Sequence, residues 1–122
     1  MFETYDIVVV NCVNKENGVQ VLEKRPCIII SNNIGNQHSP TVNVLPVTSK
    51  MKKKYQVTHC ILHPNKCNGL TKDSVVLAEQ ITTVNKNDIS KKIGHVYSKV
   101  NQERINSCFF AVLTGGGVLT SQ

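Results

Sequence analysis

Apolar and polar positions along this chain alternate in short runs bounded by Pro, Gly, Asn and Ser, a pattern of many brief strands. Asp6–Cys12 reads as the first strand. Its Ile7–Val10 core is β-branched and apolar on both faces, so it belongs at the centre of a sheet. Asn14–Glu23 is polar around Asn17-Gly18, a turn signal, and reads as a loop whose later half has strand character through Val19, Val21 and Leu22. Two strong strands follow, Cys27–Ser31 and Thr41–Val47, separated by a connector through Asn33, Gly35, Asn36 and Pro40. After a lysine-rich loop, Ser49–Tyr55, the segment Gln56–Leu62 alternates Val57, His59 and Ile61 against Thr58, Cys60 and Leu62, as a strand does. A turn around Asn68-Gly69 leads to strand-like Ser74–Leu77 and Ile81–Val84, joined through Ala78-Glu79-Gln80.

Towards the C-terminus the periodicity changes. Asn87 or Asp88 is a candidate cap for a short helix, Ile89–Lys92, closed by Gly94, with His95–Tyr97 as a short strand after it. Ser98 caps a longer helix, Lys99–Thr114, whose Ile105, Cys108, Phe109 and Val112 follow the spacing of a buried face. Gly115-Gly116-Gly117 stops it. These elements predict a mainly β fold with helices (α+β): a compact barrel-like sheet closed by a C-terminal helix, in one domain over 1–114 with a tail over 115–122.

Composition narrows the setting. A chain of 122 residues buries about two thirds of its unfolded surface, enough for one core. Its apolar runs are far shorter than the ~20 residues of a membrane helix, and no apolar leader opens it, so we expect a soluble, cytoplasmic protein. The five cysteines, Cys12, Cys27, Cys60, Cys67 and Cys108, are odd in number and are expected to be free thiols. The net charge of +6 favours a polyanionic partner, and the lysines of 50–54 are either a solvated loop or part of that attraction.

The chemistry points to two residues. Arg25, held extended by Pro26, starts one strong strand, and Thr48 ends the next. Antiparallel pairing would bring both to the same edge of the sheet. Metal-free RNA cleavage needs the 2′-hydroxyl deprotonated, the leaving 5′-oxygen protonated and the phosphorane charge stabilised. An arginine can do the last, and a threonine hydroxyl can donate to a phosphate oxygen. Arginine is a poor proton shuttle, which leaves His59 as the nearest group titrating near neutrality. The cluster His59, Cys60, His63 and Cys67 has short metal-ligand spacings but lacks paired CxxC knuckles, so packing is its simpler reading and no metal is expected. No phosphate-binding glycine loop, nucleophile elbow or carboxylate pair is present in the sequence.

Several short segments, in order, resemble the MazF/PemK family of toxin endoribonucleases (mRNA interferases) over roughly Tyr5 to Leu113. They are Asp6-Ile7-Val8, Arg25-Pro26, Ser31-Asn32, Gly35-Asn36, Ser39-Pro40-Thr41-Val42, Pro46-Val47-Thr48, Thr58-His59, Lys72 to Leu77 and Glu79-Gln80-Ile81. The likeness is greatest to the chromosomal toxins of low-GC Gram-positive bacteria. The resemblance implies a small SH3-like barrel with a C-terminal helix, working as a homodimer with RNA in a groove along the dimer interface. It implies sequence-specific, metal-independent and cofactor-free cleavage of single-stranded RNA, leaving 2′,3′-cyclic phosphate and 5′-hydroxyl ends. It places catalysis on Arg25 and Thr48 and RNA contacts at Gln20, Ser49, Lys50, His59 and Gln80. The implied partner is an antitoxin with an acidic tail, with DNA bound together with that antitoxin. Two positions depart from the pattern: Gln20 stands about where the family carries a glutamate, and Thr82 where arginine is common. Two other readings follow from the same likeness. One is a non-enzymatic poison of a protein such as DNA gyrase; the other is a relative that binds RNA or antitoxin without cutting, which the altered segment Asn14–Lys24 motivates.

Overall fold

The structure, a computed structural model, describes residues 1–16, 18–50 and 56–115, and of 13–16 and 19–22 only the backbone. Seven strands form one antiparallel sheet: β1 (Asp6–Glu16), β2 (Val19–Ile29), β3 (Thr41–Thr48), β4 (His59–Leu62), β5 (Ser74–Leu77), β6 (Thr82–Asn85) and β7 (Ile89–His95). Their order is β4-β5-β3-β2-β1-β7, with β6 alongside β3. Two helices complete it, α1 (Asn33–His38) and α2 (Lys99–Thr114). This is the expected mainly β fold with a C-terminal helix.

Side chains alternate across the sheet, and each face has its own core. On one face Ile7, Ile28, Leu45, Val47 and Val76 meet Ile105 and Cys108 of α2. On the other Val8, Val10, Cys27, Ile29, Val42 and Val44 gather under Val84 and Ile89. The β-branched run of β1 is thus buried on both sides, as its sequence requires. Helix α2 begins where Ser98 accepts a hydrogen bond from the Asn101 amide and ends at Gly115, in the left-handed region. Its buried residues are Ile105, Cys108 and Ala111, with Phe109 and Val112 partly covered.

Four expectations need correction. Asn14–Glu23 is not a loop: β1 and β2 pair without a break from Ile7↔Ile28 to Glu16↔Val19, turning at Gly18 (φ 81°). The polar residues there reflect a hairpin that runs past both cores. The connector after Ser31 holds α1, because Asn32 caps it through the Gly35 amide and the buried Asn36 amide donates to the Ser31 carbonyl. Only His59–Leu62 of the segment from Gln56 is strand. The segment Ile89–Lys92 is strand, not helix, because it pairs with β1; Asn85 instead caps a single 3-10 turn at Lys86–Asp88, and Val96 and Tyr97 lie beyond the strand. The expected tail beyond Gly115, and the lysines at 52–54, lie outside the described residues.

A buried carboxylate fastens β7 to this frame. Asp6 is fully enclosed; its Oδ1 lies 2.7 Å from His95 Nδ1 and 3.1 Å from Lys92 Nζ, and its Oδ2 accepts from the Glu3 amide at 2.8 Å. The loop before β5 locks on beside it. Asn68, buried, accepts from the Asn65 and Leu70 amides and donates to the His63 carbonyl. Gly69 and Gly94 let this loop touch β7: a Cβ on Gly94 would stand 2.3 Å from the Asn68 carbonyl carbon, and one on Gly69 2.3 Å from the Ile93 carbonyl oxygen. Backbone cannot give way as a flexible side chain does. Gly94→Ala should therefore lower the unfolding free energy by about 1–3 kcal/mol. Gly35→Ala, with no atom closer than 3.8 Å to the new Cβ and a helical site, should raise it by about 0.5–1 kcal/mol. Urea titrations of the two variants check this, and equal midpoints would refute it.

Candidate active site

The two strong strands pair antiparallel through Cys27↔Pro46, Ile28↔Leu45 and Ile29↔Val44. Continued two residues, this register sets Arg25 opposite Thr48. It also sets both on one face, since Cys27, Ile29, Val42 and Val44 share the second core and Arg25 and Thr48 keep their parity. Arg25 is half-buried across from Val10 on β1, with the Cys12 and Cys27 thiols within reach of its charge. Burial pushes the Cys27 thiol up to about 12, against the pull of that guanidinium, so it stays protonated. Thr48 is half-exposed, and its Oγ1 accepts a hydrogen bond from the Lys50 amide at 3.1 Å. The hydroxyl proton is left to donate elsewhere. A cation and a hydroxyl donor thus converge where the end of β3 meets the middle of β2.

The opposite face at the same height carries a cleft of about 250 Å³. Lys24 and Pro26, the neighbours of Arg25 on β2, line it with Ser49, Lys72, Ser74 and Gly69. Ser49 therefore opens onto a different surface from Thr48, and Lys50 is exposed beside it. Lys24, Lys72 and Ser74 were not singled out from the sequence as site residues. Only the strict alternation along β2, which turns Lys24 and Pro26 away from Arg25, would have pointed to them.

His59 lies elsewhere. Its Nε2 is 3.1 Å from both carboxylate oxygens of Glu79, and it lines a cavity of about 400 Å³ against α2. The imidazole is almost covered and committed to this pair, and among the described residues no hydrogen bond or ion pair joins it to Arg25 or Thr48. Gln80, exposed, ends the 3-10 turn of Ala78–Gln80 that carries the chain from β5 to β6 along the edge of β3. Gln20 pairs with Lys15 in the β1–β2 hairpin, but its side chain lies outside the described residues. The spaced cluster of His59, Cys60, His63 and Cys67 does not converge: Cys60 faces the core and His63 pairs with Asp73 at 2.7 Å. Among the described residues, the group that does converge is Glu3, Asp6 and His95, where the Lys92 ammonium stands in the position of a cation.

A sheet of this order carrying a cation and a hydroxyl across one strand pair defines a small barrel of the toxin-nuclease class. The sequence profile of the PemK-like, MazF-like toxins of type II toxin–antitoxin systems matches residues 3–113, and the chain belongs to that family. Among its relatives is the endoribonuclease MazF of Staphylococcus saprophyticus, 40% identical over 83 residues, which are 68% of each chain. Another is the endoribonuclease EndoA of Bacillus subtilis, 39% identical over 72 residues, covering 59% of this chain and 61% of that one. Solved structures share the fold. A mycobacterial endoribonuclease bound to its cognate antitoxin superposes with a TM-score of 0.73 at 21% identity, covering 93% of this chain and 96% of that one. A MazE–MazF complex from Deinococcus radiodurans gives 0.66 at 17% identity, covering 94% and 96%.

The Glu79 carboxyl shows the electrostatics of the His59 cavity. Partial burial raises its pKa, but the hydrogen bond and charge of His59 outweigh this and hold it below the ordinary 4.5. With the folded value depressed, the unfolded chain binds more protons between the two values, so stability falls as pH drops through that window. Glu79→Gln should flatten this acid limb of the urea midpoint while leaving the neutral midpoint little changed, because the group is partly exposed. An acid limb as steep in the variant as in the parent would exclude the pair as its source.

Proposed function

We propose that this toxin cleaves single-stranded RNA at a short specific sequence, with Arg25 and Thr48 as its catalytic residues. The chain is an endoribonuclease of a toxin–antitoxin system. The observation that carries the site assignment is the β2–β3 register, which sets a guanidinium and a free hydroxyl proton across from one another. In the proposed reaction the scissile phosphate lies between them. The 2′-hydroxyl attacks phosphorus, the 5′-oxygen leaves, and a 2′,3′-cyclic phosphate and a 5′-hydroxyl result. Arg25 forks onto the non-bridging oxygens as charge builds on the phosphorane, and Thr48 donates to one of them. Its fixed charge suits Arg25 to stabilisation rather than to proton transfer. His59, held on Glu79, supports RNA binding rather than general-base catalysis at this phosphate. Ser49, Lys50 and Gln80 are exposed and available to the flanking nucleotides. The +6 charge favours both the polyanionic substrate and an acidic antitoxin tail competing for the same surface.

A second copy of the chain completes the proposed groove. Tyr97, Val100, Phe110 and Leu113, on or beside α2, are mostly solvent-exposed apolar groups in the single chain, a surface that association would cover.

Mixed-sequence, structure-poor RNA in excess EDTA should be cut by the parent protein to cyclic-phosphate ends. Arg25→Ala and Thr48→Ala should each slow cleavage by about 10²–10³-fold. Binding of RNA without turnover by the parent would favour the non-cutting relative, and dependence on added metal would overturn the metal-free route. Sedimentation should give twice the 13.5 kDa chain mass at micromolar concentration; a monomer there would remove the dimer from the proposal.

A further inference from the structure

Cys60 on β4 and Cys108 on α2 are distant in sequence and meet in the core beside the His59 cavity. Both line that cavity of about 400 Å³, which opens to solvent and has ample room for a small oxidant. Their thiols hydrogen-bond one another, while Cys108 Sγ also donates to the Arg104 carbonyl at 3.3 Å and Cys60 Sγ has a weaker contact to the Ile61 carbonyl at 3.9 Å. The charges facing the pair come from both elements: Arg104 and Glu103 on α2, and His59 on β4. Nothing in the cleavage reaction uses these sulfurs.

We propose that Cys60 and Cys108 are a peroxide-reactive dithiol that closes to a disulfide tying β4 to α2. The thiolate of Cys60 attacks one oxygen of a hydroperoxide. The O–O bond breaks, and Cys60 becomes a sulfenic acid while hydroxide, or an alkoxide, departs. The Cys108 sulfur then attacks the Cys60 sulfur and expels the sulfenic oxygen as water, taking up the thiol proton. Two thiols lose two electrons and two protons, and the peroxide is reduced to water, or to an alcohol and water. The electrostatics favour this order. The hydrogen bond from Cys108 draws the Cys60 thiol below its usual range, against burial and with help from Arg104, while Cys108 is raised by the same bond. The nucleophile and its resolving partner are thereby distinguished.

The chain carries its own controls. Cys12 and Cys27 sit near one another by Arg25, but burial raises both thiols, and Cys67 is exposed with no thiol neighbour among the described residues. Treatment of the full-length, reduced protein with hydrogen peroxide should remove two of its five free thiols, and dithiothreitol should restore them. Trypsin cuts after Lys66 and Arg104, which separates the three C-terminal cysteines, so non-reducing peptide mapping should recover one cross-link, Cys60 to Cys108. In Cys108→Ser the sulfenic acid at Cys60 should persist and be trapped by a dimedone probe. Cys12→Ser should form the cross-link as the parent does. Failure of the parent to yield the Cys60–Cys108 peptide, with loss confined to Cys67 or to chains linked through Cys67, overturns the proposal. So does a Cys108→Ser protein whose Cys60 resists the probe while the protein remains folded by circular dichroism.

Discussion

The register between β2 and β3 is the constraint on which the molecule depends. Side chains in a strand alternate with period two, so sliding β3 by one residue would exchange its faces. Val42 and Val44 would leave the second core for the α2 side, and Leu45 and Val47 would make the reverse move. Arg25 would then stand opposite a residue of the wrong parity. Stability and candidate chemistry are therefore set by the same pairing. A sequence that buries Ile28 on Leu45 and Ile29 on Val44 must also bring Arg25 to Thr48.

Closing the sheet is a separate problem, solved by polar groups. β7 presents two lysines and a histidine near its end, and hydrophobicity alone would not hold it against β1. The Asp6 carboxylate does so by accepting from Lys92, His95 and the Glu3 amide at once. A carboxylate with no solvent exposure survives only because its lone pairs are filled. The adjoining backbone is pinned with it: Tyr5, at positive φ, donates to the Ile29 carbonyl and accepts from the Val96 amide. The glycine contact of Gly94 with the Asn68 loop then brings the segment before β5 up to the cleft shared with Lys24 and Ser74.

This division explains what was legible in the sequence. β-branched runs with caps, namely Ile7–Val10, Cys27–Ile29, Thr41–Val47 and α2, announce themselves because their local preference agrees with their burial. Ile89–Lys92 misleads because Asn87, Asp88 and Gly94 imitate helix punctuation while Ile89 and Ile93 keep a helical spacing. Pairing with β1, invisible in local sequence, decides for strand. The long hairpin reads as a loop because its tip is polar, and α1 is hidden because its asparagines and glycine resemble breakers until Asn36 is seen to be buried. Arg25 and Thr48 could be brought together by strand direction alone. The engagement of His59 by Glu79 could not, since it depends on β4 lying beside β5 with His59 opposite Leu77.

The same topology separates two kinds of chemistry within one small sheet. On β2 each step along the strand changes face, so Arg25 joins Thr48 while Lys24 and Pro26 open the other way. At the far edge, β4 turns Cys60 and Leu62 into the core and leaves Ile61 in solvent, which puts the Cys60 thiol against α2 rather than near the phosphate site. The Cys27 thiol, on the Arg25 face, is kept protonated by burial despite a neighbouring guanidinium that would otherwise favour the thiolate. An arginine that must meet phosphate oxygens is thereby spared competition from an anionic sulfur beside it. Desolvation, usually a cost to a polar group, here keeps the cation of the site free for its substrate.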